Sequence, residues 1–195
     1  MRCLTCQSLS LQAICKDCQE NFLKASFYKR ELEKDFYVYS FYNFEEIKEL
    51  INTKYQFYGD RVFKILSYLS LEKFTQNFTF ANKIFAIPID DHTFHQFSQT
   101  AILTKSLKSN FIQPIFNTLK ATNRVKYAGK DLEFRKKNKR KFIYTGKHNI
   151  QVILIDDLVT TGLTILEAKE CLEKNGCEVL FALTLSDAKV SQEIN

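Results

Sequence analysis

Apolar positions in this chain follow two periods, and they change over at regular intervals. From Asp35 to Tyr42 the run DFYVYSFY is aromatic and β-branched, as a strand paired with a neighbour in a hairpin or hood would be. Residues 45–60, EEIKELINTKYQFYGD, carry Ile47, Leu50, Ile51 and Tyr55 at helical spacing, with Gly59 marking the end. A second helix is predicted from about Arg61 to Leu71, with Val62, Ile65, Leu66 and Leu69 facing inward. KIFAIPI, 83–89, has the length and composition of a buried strand, and the polar turn Asp90–His92 follows it. A helix over 98–109 and the short strand FIQPI, 111–115, complete one strand–helix–strand unit. The last unit is a strand over 150–155, a helix over 163–175, Gly176 as its C-terminal cap and the strand CEVLFALTL over 177–185. This alternation predicts an α/β fold, a parallel sheet flanked by helices on both faces.

The run VILIDDLVTTGLT, 152–164, carries the chemistry. Four aliphatic residues end at two adjacent carboxylates, Asp156 and Asp157. Leu158, Val159, Thr160, Thr161, Gly162, Leu163 and Thr164 then lead into a helix that begins with Ile165, Leu166 and Ala168. A strand, a hydroxyl-rich turn with Gly and a helix N-terminus form an anion cradle, because free N–H groups and the positive dipole end converge there. Two carboxylates would repel a phosphate bound alone, so they must face hydrogen-bond donors or a metal. Ribose hydroxyls meet that need. The plainer alternative is an acidic turn that caps the next helix.

These residues resemble the binding signature of the type I phosphoribosyltransferases. The resemblance implies that Asp156 and Asp157 hold the 2′ and 3′ hydroxyls of phosphoribosyl pyrophosphate. Residues 158–164, with Thr160–Thr164 foremost, would then take its 5′-phosphate, and Mg²⁺ would bridge ribose and pyrophosphate.

Four of the six cysteines fall in the first 18 residues, as Cys3-x-x-Cys6 and Cys15-x-x-Cys18. Each pair places two sulfurs at one knuckle, and two facing knuckles make a tetrahedral S₄ site suited to structural Zn²⁺. Two disulfides are the alternative, which a reducing cytoplasm disfavours. A segment this short gains most of its stability from metal, so the expected organisation is a zinc module over 1–26 and a main domain over 27–195. Cys171 and Cys177 lack ligand spacing and read as buried thiols.

Charge adds a third feature. The net charge is +6, yet between Lys120 and Ile150 eleven Lys/Arg face only Asp131 and Glu133, which leaves the rest of the chain net negative. Lys136, Lys137, Lys139, Arg140 and Lys141 put five charges in six positions, too many for local pairing. Such a stretch binds single-stranded DNA phosphates through counterion release, with Tyr127, Phe134, Phe142 and Tyr144 available for base stacking. A solvated loop without a partner is the bland alternative.

The composition, with 45% apolar residues, 18 Phe and 9 Tyr, supports a large aromatic core, and 5 Gly with 2 Pro argue against a turn-rich all-β fold. No apolar run is long enough to span a membrane, and the N-terminus is no secretory peptide, so a cytoplasmic protein is expected.

In their order, these parts resemble the competence protein F (ComF) family, which joins a four-cysteine zinc module to a phosphoribosyltransferase-like domain. The matching pieces are both CxxC pairs, the aromatic strand at 36–42, Ile51-x-x-Lys54-Tyr55 with Gly59-Asp60, the Ile87-Pro88 strand end, Arg135-x-x-Asn138 before Phe142, and the 156–164 loop. The resemblance implies a role in natural transformation. The protein would handle incoming single-stranded DNA on the cytoplasmic side of the inner membrane, beside a helicase-like translocase. It also implies a structural role for Arg135 with Asn138. Where the family shows Arg-Gly-Phe-Asn-Gln, this chain has His95-Gln96-Phe97-Ser98-Gln99, so only Phe97 and Gln99 match. Loss of that Arg counts against catalysis that depends on strong pyrophosphate binding. The competing functions are an active phosphoribosyltransferase in base salvage and a nucleotide-sensing regulator. No general acid can be assigned for the first; His92 and His95 are loop candidates only.

Overall fold

Strands form where β-branched and aromatic residues run together, and the sheet collects most of them. A computed structural model describes residues 1–89, 97–123, 133, 138 and 140–189. It contains β1 (Tyr28–Glu33), β2 (Phe36–Asn43), β3 (Ile84–Pro88), β4 (Ile112–Pro114), β7 (Gln151–Val159) and β8 (Glu178–Asp187) in one six-stranded sheet. A separate antiparallel pair joins β5 (Leu119–Ala121) to β6 (Phe142–Tyr144). The sheet order is β1-β2-β8-β7-β3-β4, with every pairing parallel except β1 with β2.

Side-chain alternation splits the core into two layers. One face takes Ile84, Ala86, Ile153, Ile155, Leu183 and Leu185, covered by α2 (Phe44–Asn52), α3 (Gly59–Ser67) and α5 (Gln99–Ser106). The other face takes Ile87, Val152, Leu154, Val179 and Ala182, and α6 (Leu163–Lys174) packs on it through Ile165, Ala168 and Leu172. The α/β architecture expected from the sequence, a mostly parallel sheet with helices on both faces, is therefore present. After α3 the backbone passes through a π-helical turn over 68–72 into α4 (Lys73–Asn77), so the second predicted helix continues beyond its expected end. Gly59 opens α3 rather than closing α2, which ends at Asn52 and passes into a 3₁₀ turn, Thr53–Tyr55.

The first 23 residues carry α1 (Lys16–Phe22) and the facing cysteine knuckles. Cys3, Ala13, Ile14, Cys18 and Leu23 belong to the same apolar cluster as Phe41, Tyr42, Ile47 and Leu66. Tyr42 Oη donates to the Leu23 carbonyl across that contact. No helix among the described residues is long and apolar enough to cross a membrane.

Strand order fixes where a ligand can bind. From β3 the chain goes through α5 to β4 on one side, and from β7 through α6 to β8 on the other. The sheet order thus reverses between β3 and β7, which opens a crevice at their carboxyl ends. The 156–164 segment lies there.

Candidate functional site

β7 runs two residues past the acids that were expected to end it, reaching Val159. The backbone of Asp156 and Asp157 pairs with β8 at Thr184 and onward to Ser186, and Ile89 after β3 donates to the Ile155 carbonyl. Consecutive residues in a strand point to opposite faces, so the two carboxylates do not share an environment. Their partners show the difference.

Asp157, 5% exposed, faces the α2 side, where Lys54 Nζ donates to its Oδ2 at 2.8 Å. Lys54 comes from the 3₁₀ turn after α2, so that turn makes a direct contact with the acidic pair. Burial opposes the ammonium, but the attraction of Asp157 outweighs it and holds Lys54 above its ordinary pKa. Asp156 is half-buried on the α6 side, and its Oδ1 accepts the Asp157 N–H at 2.8 Å. Burial and the neighbouring Asp157 carboxylate push Asp156 up to about 8, partly countered by the Asp157 N–H and by the charges of Arg140 and Lys54. Asp156 is therefore an acid with latent charge, stabilised by whatever donor or cation enters the crevice.

The turn after β7 has Thr160, Thr161, Leu163 and Thr164 half-buried, with Leu158 half-buried and Val159 and Gly162 buried. Gly162 sits at the N-cap of α6 with φ +81°, and a Cβ there would fall 2.6 Å from Leu32 Cδ2. Both the left-handed backbone and the close approach of β1 exclude a side chain. The first turn of α6 begins immediately after it, so N–H groups without helical partners gather beside Asp156. Asp156, the threonine turn and that helix end form a site with hydroxyl-accepting and anion-accepting chemistry side by side.

Sequence reading missed Arg30. It reaches from β1 to donate through Nε to Asp187 Oδ2 at 2.7 Å and through Nη2 to the Thr160 carbonyl at 3.0 Å. Nothing in the local pattern YKRELE sets Arg30 apart from Lys29; only the topology places it at the loop.

Of the predicted DNA contacts, Lys136, Lys137 and Lys139 lie outside the described residues, as do His92 and His95. Arg140 and Lys141 are described. Their backbone N–H groups donate to the two oxygens of Glu167 on α6, at 3.0 and 2.7 Å. Thr122 and Asn123 donate to the carbonyls of Lys141 and Arg140, closing the base of the basic segment as a continuation of β5 and β6. That base stands on α6 one turn from the threonine loop. Arg140 also exerts a charge effect on Asp156. Lys141 is exposed.

Cys3, Cys6, Cys15 and Cys18 place their sulfurs within 4.8 Å of one another. The Cys6–Cys15 separation of 3.7 Å matches the edge of a tetrahedron with Zn–S bonds of ~2.3 Å, an edge of about 3.8 Å, and is far beyond a disulfide bond. The Cys15 N–H donates to Cys3 Sγ at 3.3 Å, and Ser8 Oγ lies 3.0 Å from Cys6 Sγ. Although burial works against it, N–H groups of Cys6, Cys15 and Thr5 lower the Cys3 thiol to about 6. Burial, with the other three sulfurs, pushes Cys18 up. The donor set fits a metal ion. Cys171 and Cys177 instead lie near the Phe142 and Lys147 carbonyls, 3.4 and 3.5 Å away.

No family model and no curated protein matches the chain. Solved structures similar to it include UMP synthase from Leishmania donovani, with 20% identity over 65% of this chain and a TM-score of 0.38. They include a hypoxanthine phosphoribosyltransferase from Staphylococcus aureus, with 13% identity, 67% of this chain, 68% of that one and a TM-score of 0.40. A hypoxanthine-guanine phosphoribosyltransferase from Bacillus anthracis has 18% identity, 72% of this chain, 68% of that one and a TM-score of 0.37. The chain spans 22% of the length of the UMP synthase. At these identities the likeness concerns architecture alone.

Proposed function

We propose that this chain binds phosphoribosyl pyrophosphate with Mg²⁺ in the crevice between β3 and β7, and holds single-stranded DNA beside it. One observation carries the reading: a half-buried carboxylate, Asp156, stands next to a threonine turn and helix N-terminus at the point where strand order reverses. Asp156 takes a ribose hydroxyl and, through the ligand, faces Mg²⁺. The turn over 160–164 takes the 5′-phosphate. Asp157 supports this face from behind, through Lys54. The four cysteines hold Zn²⁺ in a closed structural site, in a module over 1–26 that precedes the phosphoribosyl-binding domain.

The basic segment supports the nucleic-acid half of the reading. Its base is fastened through the backbone of Arg140 and Lys141 to Glu167 of α6, the helix that forms the phosphate cradle; Lys136, Lys137 and Lys139 are the other assigned contacts. With the family resemblance, this supports reading the chain as a cytoplasmic protein of natural transformation. It would work at the inner membrane with a helicase-like translocase and use phosphoribosyl pyrophosphate as ligand rather than substrate. His95 in place of the family's Arg favours binding over turnover.

Calorimetric titration with phosphoribosyl pyrophosphate and Mg²⁺, with and without single-stranded DNA, tests both halves. Asp156→Asn leaves a ribose hydroxyl poorly paired and should weaken the sugar ligand about tenfold. Four phosphate contacts give a log–log salt slope for DNA of about −3, and reversing the charges of Lys137 and Arg140 should flatten it by about 1.4. An unchanged slope in that variant would remove the DNA assignment. Pyrophosphate release on adding a free base would turn the reading to a transferase.

A further inference from the structure

β1 is an edge strand of the sheet, and three of its side chains reach the loop after β7 and the helix that follows it. Arg30 forks between the Asp187 carboxylate, 2% exposed, and the Thr160 carbonyl. Leu32 lies against the face of Gly162 where a Cβ would project. Glu33 holds Lys169 of α6 at 2.6 Å, and Lys169 also holds Glu173 at 2.9 Å. One strand thus grips the loop before its glycine, at its glycine and beyond it on the helix.

The bond to Thr160 has a directional consequence. In a trans peptide unit the C=O and the following N–H point in opposite directions, and the described chain has no cis bond. With the Thr160 oxygen held on Arg30, the Thr161 N–H points away from the guanidinium. Asp187 in turn keeps the guanidinium in place: its other oxygen accepts the Lys189 N–H at 2.7 Å, so the carboxylate is held at both ends.

We infer that Arg30 is the positioning residue of this anion cradle, orienting the Thr160–Thr161 peptide so that its N–H faces the phosphate. The identity of the anion rests on the phosphoribosyl reading above; the clamp on the loop does not. Arg30→Lys is the informative variant, because it keeps a cation for Asp187 but has no fork to reach a second acceptor. The full chain is probed with ribose 5-phosphate and, separately, with magnesium pyrophosphate, and backbone ¹⁵N relaxation is followed at Thr161 in the free protein. The expected result is a thermal midpoint near that of the wild type, a Thr161 order parameter that falls from about 0.85 to below about 0.6, ribose 5-phosphate bound about 5–20-fold more weakly and pyrophosphate unchanged. If Arg30→Lys fails to fold, Arg30→Gln with Asp187→Asn removes both charges and carries the same expectations. An unchanged Thr161 order parameter overturns the clamp and leaves the phosphoribosyl reading standing. Equal weakening of both probes overturns the phosphate-specific role. Wild-type protein that binds neither probe overturns the phosphoribosyl reading and, with it, the role of Arg30 toward phosphate.

Discussion

Replacing Lys54 by Met keeps most of the side chain's volume and removes only its charge, which isolates what the ammonium does for Asp157. The carboxylate is 5% exposed and has its Lys54 partner at 2.8 Å. Removing one member of a buried pair costs about 3–5 kcal/mol, since the other is left charged and poorly solvated. The Lys54 side chain retains 17% exposure, so water reaches the gap and the low end, about 3 kcal/mol, is expected. For a chain of this size that lowers the thermal midpoint by about 6–12 °C. Asp157→Asn strands an ammonium that can reorient toward solvent and should cost less, about 1–2 kcal/mol. The double variant leaves no buried charge, so its cost should fall short of the sum of the single costs by about 2 kcal/mol. Urea midpoints of the four proteins, with m held constant across them, give that coupling directly. Lys54→Met within about 0.5 kcal/mol of the wild type, or single costs that simply add, would refute the claim that this pair is a unit of the fold.

Purified protein should contain one Zn²⁺ per chain. Cys15→Ser should release it, expose the first 26 residues to protease and lower the midpoint of the whole chain, because Ile14 and Leu23 pack with Phe41 and Leu66. A metal-free protein with four normally titrating thiols and an unaltered midpoint would count against the site. The second expectation concerns Asp156, whose folded pKa of about 8 lies above the ordinary aspartate value near 4. Between those two pH values the folded chain keeps a proton that the unfolded chain has lost, so stability falls as pH rises across the window. Asp156→Asn should flatten that dependence and stabilise the protein at pH 8, as denaturation midpoints between pH 5 and 9 would reveal; an identical slope in the variant would place the titrating group elsewhere.

The strands that follow a strict apolar pattern, β3 and β8, were legible to within about two residues, because burial on both faces leaves a continuous hydrophobic run. β7 was not. Its final residues include two acids, and a rule that ends strands at charge stops at Ile155, whereas in the fold Lys54 satisfies one acid and the ladder with β8 carries the backbone on to Val159. β1 was missed for a related reason. YKRELE carries four charges in six residues, as an edge strand does to avoid pairing with other chains, and so lacks the apolar signal of a strand. The 3₁₀ turn and the π-helical turn around α3 were likewise hidden, since both arise from how the chain meets the core rather than from local propensity.

At the site, the sequence shows residue types and their order but not which side of the sheet each one faces. Asp156 and Asp157 read as an equivalent pair because they are adjacent. Strand alternation makes them unequal, giving one to Lys54 and leaving the other at the mouth of the crevice near Arg140. Lys54 is 103 residues from the acid it pairs with, and Arg30 is 130 residues from the carbonyl it holds. Neither separation leaves a periodic trace in one sequence. Both contacts bind the same short segment, one from each face of the sheet, and both come from the chain's first third. A loop that must keep several N–H groups aimed at one point needs its carbonyls held elsewhere, because each peptide unit couples the two. The local sequence supplies the turn, and two distant cations, Lys54 and Arg30, hold the segment at Asp157 and at the Thr160 carbonyl.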